Sequence, residues 1–384
     1  DLDPNKKSSA YQNSIKPKHK LGESPYRFNW QTPILISNHN QDIIYIGSNK
    51  LHQSFDQGET WKTISGDLTN GGKSGNVPYG TITTFDESVF KFGLIYVGSD
   101  DGKLSVTKNN GQKWDDISIG LPKNLWASRV IASKHKEKRV YVSLNGYRLD
   151  DFKPYVYLSD DYGNSWKNIS GNLPNSPVNV IKEDPINKNI LYVGSDIGAY
   201  ISLNQGESWE AFKSGLTTAA VHDIVIQEKE NDLLIGTHGR SIYKTNLKNI
   251  QSLNLDVINK SVYLFGIKPV KYSKSWGNKQ RIWSDFEVPS LSIELWVNKV
   301  GDHEVSITSN SGSKLFEKTY SFEKGYNKIN YNLRYNLVPK KNKKNKMNAH
   351  YAKDGFYYLT PGKYNLKIKK DDVEYKYSFS ITKD

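Results

Sequence analysis

Ser54-Phe55-Asp56-Gln57-Gly58-Glu59-Thr60-Trp61 decides the fold, because its pattern S-x-D-x-G-x-T-W returns three times along the chain. The copies are Thr107-Lys108-Asn109-Asn110-Gly111-Gln112-Lys113-Trp114, Ser159-Asp160-Asp161-Tyr162-Gly163-Asn164-Ser165-Trp166 and Ser202-Leu203-Asn204-Gln205-Gly206-Glu207-Ser208-Trp209. Each follows a β-rich run ending in a small residue, at 43–48, 94–99, 139–143 and 190–195. A fifth run, 232–237, has no such octapeptide after it. The octapeptide reads as a hairpin. Its Asp or Asn (Asp56, Asn109, Asp161, Asn204) accepts hydrogen bonds from the turn's own backbone. Its Gly (Gly58, Gly111, Gly163, Gly206) takes a positive φ. Its Trp (Trp61, Trp114, Trp166, Trp209) opens the return strand and packs between sheets.

Working outward, each repeat holds four short strands in about 40–50 residues, the spacing of a propeller blade. In the first repeat the strands are expected near 32–37, 43–48, 50–55 and 60–65. Five blades follow, at about 31–66, 79–120, 126–171, 176–216 and 219–246, the last with three strands of its own. Residues 11–16 resemble the strands after each Trp, so they are expected either to close the ring or to belong to a further blade. The second reading is preferred, because the opening Asp1 reads as a cut end of a longer chain. After Tyr243 the repeat stops. A connector over 247–289 carries Trp276 and Trp283, and seven runs from 290 to 384 alternate as short strands do. The expected organisation is a connector or closing strand at 1–25, a β-propeller at 26–246, a linker at 247–289 and an immunoglobulin-like β-sandwich at 290–384. The fold class is all-β.

The 384 residues include 25 Tyr, 9 Trp and 29 Gly, a mix that favours strands and turns. No run approaches the roughly 20 apolar residues of a membrane-spanning helix. Cysteine is absent, which excludes disulfides, thiolate metal sites and cysteine nucleophiles. The formal charge of +13 would suit an acidic partner, but the lysines are scattered and not interleaved with aromatics, so nucleic acid is not expected. One dense run, Lys340, Lys341, Lys343, Lys344 and Lys346, reads as a hairpin loop.

The four octapeptides resemble the Asp-box, or BNR, propellers, a group that includes sialidases, the xyloglucanase family and sortilin-type receptors. The segments Pro25-Tyr26-Arg27-Phe28-Asn29-Trp30, Leu125-Trp126-Ala127-Ser128-Arg129-Val130, Gly236-Thr237-His238-Gly239-Arg240 and Pro361-Gly362-Lys363-Tyr364 are similar to those of exported bacterial, Bacteroidetes-type members labelled sortilin-like or glycosyl hydrolase-like. The resemblance covers roughly 23–384. It implies a secreted or cell-envelope protein whose propeller meets a protein or polysaccharide partner, with the remaining blades in the parent chain or another chain. It implies no cofactor.

Propeller ligands often sit where the inner strands begin. Aligning those strands by sequence superimposes Thr32, Thr81, Arg129, Asn179 and Asp223, preceded by Gln31, Gly80, Ser128, Val178 and His222. Trp30, Tyr79 and Trp126 lie just before. The expected channel mouth is therefore Trp30, Tyr79, Trp126, Arg129, Asn179, His222 and Asp223, a set able to stack on and hydrogen-bond a sugar or anchor a peptide. Ion pairing of Arg129 with Asp223 around a wet pore is the plainer alternative. Glycoside hydrolysis needs two carboxyls flanking a cleft. The candidates are Asp223 at the mouth and Asp150 and Asp151 in the long blade 3 loop, but no spacing forces a pair. The three-arginine clamp and Arg-Ile-Pro motif that the sialidase resemblance would require are missing. The histidines lack metal-ligand spacing, so no metal site is expected. A non-catalytic recognition module is the leading reading, with a glycoside hydrolase as the alternative.

Overall fold

The computed structural model describes residues 15–73, 79–212, 215–337 and 349–383. Most of the 11–16 strand and the whole of the Lys340–Lys346 run lie outside these residues. The chain divides into two compact units, Asp1–Gln251 and Ser252–Asp384.

The first unit consists of five antiparallel sheets, each ordered as it runs in sequence. Blades 1 to 4 have four strands and begin with the inner strands Ile34–Ile36, Ile82–Glu87, Trp126–Ala132 and Val178–Glu183. Blade 5 has three among the described residues, Val221–Gln227, Asp232–Thr237 and Ile242–Asn246. The second strands of blades 2 and 4, Ile95–Ser99 and Leu191–Ser195, are buried at every residue. They are therefore continuous apolar runs rather than alternating ones.

The octapeptide hairpins form as expected. Asp56 Oδ1 accepts the Thr60 amide at 2.8 Å and its Oδ2 the Thr60 hydroxyl at 2.6 Å, while Ser54 Oγ accepts the Gly58 amide at 2.8 Å. These bonds hold the Asp56 carboxyl down to about 2, and Asp161 is held at about 2 in the same way. The residue before each Gly also has positive φ (Gln57 58°, Asn110 55°, Tyr162 64°, Gln205 58°), a feature the pattern did not reveal. The glycines have a second purpose. A Cβ at Gly111 would stand 2.2 Å from the Ile64 carbonyl oxygen of the preceding blade, and Gly163 and Gly206 abut Ile117 and Ile169 alike.

The hairpins thus fasten blade to blade. Trp114, Trp166 and Trp209 donate Nε1–H to the carbonyls of Ile64, Ile117 and Ile169 at 3.0, 2.9 and 2.8 Å. Trp61 Nε1, buried in the same position of blade 1, has no partner among the described residues. A second fastening uses the ends of the inner strands. Glu87 accepts from Ser37 Oγ (2.5 Å) and Tyr45 Oη (2.9 Å) of blade 1, and Glu183 accepts from Ser133 Oγ (2.9 Å) and Tyr141 Oη (2.9 Å) of blade 3. The register places Ala132 at the equivalent position of blade 3. The hydroxyl of Tyr96 in blade 2 is accordingly buried without a partner.

The second unit is a β-sandwich. One sheet joins Val262–Leu264, Leu291–Val297 and Gly325–Tyr331; the other joins Val270–Lys271, Val373–Thr382, Gly362–Lys370, Gly301–Ser309 and Lys314–Phe322. Between them lies one core that includes Leu291, Leu295, Val305, Ile307, Leu366, Ile368 and Trp276. Residues 262–264 and 270–271, in the stretch read as a linker, are strands of these sheets.

Candidate functional site

The five inner strands wall a cavity of about 1040 Å³. What aims their side chains is a β-bulge. Strand pairing skips Thr83 in blade 2, Ser128 in blade 3, Asn179 in blade 4 and His222 in blade 5. A bulge leaves the extra residue out of the ladder and bends the strand. Here the extra residue turns to the next blade. Thr83 Oγ1 donates to the Ala127 carbonyl (2.7 Å), Ser128 Oγ to Val178 (2.8 Å) and Asn179 Nδ2 to Val221 (3.2 Å). His222, at that position in the last blade, instead stacks on His238 with ring centroids 5.3 Å apart.

The bulge also corrects the alignment made from sequence. Pro33, Thr84, Arg129, Val180 and Asp223 are the residues that stand level, so blade 2 was misplaced by three positions and blades 1 and 4 by one each. Trp30, Trp126, Arg129, Asn179, His222 and Asp223 all line the cavity. Tyr79 is not among its lining residues; its ring lies under the Lys73 ammonium at 4.3 Å. Asp150 and Asp151 are absent from the wall as well. Asp150 sits in the left-handed region at φ 56°, ending the one-turn 3₁₀ helix Tyr147–Leu149. Asp151 accepts the Tyr155 hydroxyl at 2.6 Å. Their loop still reaches the cavity through Tyr147 and Arg148, whose guanidinium lies 4.0 Å from the Trp126 ring centre.

One ion pair joins two residues of the wall, and hydrogen bonds hold the other carboxylates. Arg129 Nη2 contacts Asp223 Oδ1 at 2.7 Å, while its Nε is buried without a partner. Asp196 accepts from Asn179 Nδ2 at 2.8 Å, and Asn179 Oδ1 accepts from Asn145 at 2.9 Å. Lys134 is ion-paired with Glu228. Asp86 accepts the Ala132 amide at 2.9 Å; burial pushes its carboxyl up to about 6 against the opposing pull of Lys182 and Lys134. Lys182 is itself held below its usual range by burial, partly offset by Asp86. Asp86, Lys182 and His238 escaped the sequence reading. Only the strand register brings the first two to the axis, and His238 stood only within a segment quoted for its resemblance. Asp100 and Asp101, in the turn after the second strand of blade 2, are buried, accepting from Thr81 and from Ser99 and Asn70.

The strand-bulge-cavity arrangement is that of a propeller, and the family model Sortilin-Vps10 (sortilin, neurotensin receptor 3) matches residues 154–360, more than half of the 384. The chain belongs to the sortilin (Vps10) family. Among solved structures, it is similar to the GH74 xyloglucanase from Xanthomonas campestris, with 13% identity and a TM-score of 0.44 over 58% of this chain and 37% of that one. It is similar also to the GH74 enzyme of Niastella koreensis (14%, TM-score 0.43, 89% and 56%) and to YCF48 bound to a D1 peptide (15%, TM-score 0.39, 59% and 69%). The chain thus spans little more than a third of the length of the xyloglucanase. A search of curated proteins found no match.

Proposed function

We propose that this sortilin-family chain is a non-catalytic recognition module of a secreted or cell-envelope protein, and that it takes a protein or polysaccharide ligand at the axial cavity. The observation that carries this reading is the cavity mouth. Trp30 is 80% exposed there, Trp126 carries the Arg148 guanidinium, and Arg129 keeps an unpartnered Nε beside its ion pair. Exposed aromatic faces and convergent polar groups favour binding of an extended chain with flat rings or amides. The Arg129–Asp223 and Asn179–Asp196 contacts occupy carboxylates that hydrolysis would need free. The C-terminal sandwich, read as immunoglobulin-like, acts as a spacer or packing partner.

We infer further that other blades, in the parent chain or a partner, complete the ring. Ile34 and Ile36 of blade 1 are 59% and 58% exposed, whereas Phe85, Val130, Ile181, Glu87, Ala132 and Glu183, their equivalents by register, are buried. Ile242 of blade 5 is 71% exposed, whereas its equivalents Leu51, Leu104, Val156 and Ala199 are buried.

One observation favours hydrolysis as the second reading. Asp86, at about 6, would hold a proton near neutrality as a glycosidase acid does, and Asp223 lines the same cavity. Arrays of polysaccharides and peptides, probed with the wild type and with Arg129→Ala and Trp126→Ala, test the site. Binding that both substitutions leave unchanged would remove it from the cavity. A hydrolysis screen runs in parallel, and turnover abolished by Asp86→Asn or Asp223→Asn would overturn the non-catalytic reading.

A further inference from the structure

Charge is divided unevenly between the two units. Residues 252–384 carry 24 Lys and Arg against 13 Asp and Glu, a net of +11 out of the chain's +13. The first unit is nearly neutral. A separate feature lies in the same cationic unit, on the stretch that was read as a linker.

Residues 277–287 form a short hairpin. Its base is held by Gly277 N donating to the Glu287 carbonyl (2.7 Å), Glu287 N to Asn278 (2.9 Å) and a bridge between Lys279 and Phe286. Its tip is a turn closed twice. Ser284 N donates to the Arg281 carbonyl at 3.1 Å, and Arg281 N donates to Ser284 Oγ at 3.0 Å. Trp276, buried in the sandwich core, anchors the near end. At the tip stand Ile282 and Trp283, exposed by 90% and 79%. Scattered apolar residues on a surface are ordinary. Two adjacent large ones, held out by a braced turn, lose apolar contact and gain nothing within the unit.

The surroundings indicate what covers them. The Arg281 guanidinium lies 5.8 Å from the Trp283 ring centre, and the Lys279 ammonium lies 5.0 Å over Phe286. Asp285 and Glu287 offset Lys279 and Arg281 within the hairpin, so its formal charge is zero and the positive surplus belongs to the rest of the unit. A Trp with an aliphatic neighbour at the tip and cations beside the rings is a composition that settles at a bilayer interface. There the indole sits at headgroup level, the apolar tip reaches the acyl boundary and the cations meet anionic headgroups. The surplus positive charge of the unit adds attraction for an anionic membrane with each Lys or Arg brought close to it. An apolar patch meant for a protein would not by itself require that surplus.

We propose that the C-terminal unit docks on an anionic phospholipid bilayer, with the 277–287 hairpin inserting Ile282 and Trp283. This stands apart from the cavity reading and fails or holds without it. The test is co-sedimentation of the full chain with vesicles of phosphatidylcholine alone and with about 30% phosphatidylglycerol, at low and at physiological salt. The wild type should partition onto the anionic vesicles and weaken with salt. The Ile282→Ser, Trp283→Ser double variant should bind at least about tenfold more weakly, and Lys279→Glu with Arg281→Glu should weaken binding as well. Brominated lipid should quench wild-type fluorescence more than that of Trp283→Phe. Absence of binding to anionic vesicles, or equal binding by the double variant, would overturn the proposal. So would equal binding to neutral and anionic vesicles.

Discussion

Three tyrosines at equivalent positions of successive blades provide a built-in control on what fastens the propeller. Tyr45 and Tyr141 donate their hydroxyls to Glu87 and Glu183 of the next blade, each at 2.9 Å, while Tyr96 is equally buried and donates to nothing. Burial and the adjacent carboxylates push the Tyr45 and Tyr141 hydroxyls far above the ordinary range. Removing only the hydroxyl by Tyr141→Phe deletes a hydrogen bond to a charged acceptor, about 1.5–3 kcal/mol. Glu183 keeps Ser133 Oγ and the Lys134 amide, so about 2 kcal/mol is expected. Tyr96→Phe removes a buried, unsatisfied hydroxyl and should be neutral or stabilise by about 1 kcal/mol. The three variants share side-chain volume and burial, so the spread of about 3 kcal/mol reports the hydroxyl's bonds, the one to the carboxylate and those accepted from Gln53 at position 45 and Arg139 at position 141. Urea unfolding followed by tryptophan fluorescence measures it as a shift in midpoint at constant slope. Equal losses at positions 45, 96 and 141 would refute the idea that these carboxylates lock the blades.

The tryptophan series offers a parallel test. Trp114→Phe and Trp166→Phe should each cost about 1 kcal/mol more than Trp61→Phe, which breaks no hydrogen bond, in the same denaturation assay. At the octapeptide turn, Asp161→Asn should be tolerated, because Asn109 and Asn204 already accept the equivalent amides at 3.0 Å; Asp161→Ala should lower the melting temperature. His52 is buried between Ser48 Oγ (2.8 Å) and Thr63 Oγ1 (3.0 Å), and burial, aided by the Lys50 charge, holds it down to about 4. Its unfolded value is about 6.5, so its contribution is complete above that pH and is lost as pH falls through 4, about 3 kcal/mol in all. His52→Gln should flatten the loss of stability between pH 6.5 and 4 relative to wild type; an unchanged pH profile would remove His52 from the account.

The blades were legible because the octapeptide is a local device. Asp56 and Gly58 act within a few residues, so the sequence displays both the turn and its period. The channel mouth was only partly legible. Arg129 and Asp223 were matched across blades, and they do meet at 2.7 Å, because both stand directly after the bulge. Tyr79 was drawn in because Thr81-Ile82-Thr83-Thr84 offers more than one threonine to align, and blade 2 was set three positions early. Asp86 and Lys182 stayed hidden for a related reason. An isolated charge in an apolar strand looks like an outward-facing residue, and only the closure of five strands around one cavity turns that face inward.

The same geometry separates the named carboxylates of the repeat from any chemistry. Asp56 and Asp161 spend their oxygens on amides and hydroxyls of their own turns, and those bonds hold both carboxyls near 2. A group so firmly ionised can neither donate a proton near neutrality nor accept one readily. Asp86 stands at the opposite extreme, its carboxyl raised by burial against the cavity wall. Four repeats of one motif therefore supply the frame, and the residues free to act on a ligand are those the motif does not specify. They lie on inner strands, where blades differ most: Thr84, Arg129, Val180 and Asp223 share one register level and have four different chemistries. A cavity wall assembled in this way is asymmetric although its scaffold repeats. A single exchange at that level, such as Arg129→Ala, should alter ligand choice without disturbing the hairpins that hold the blades.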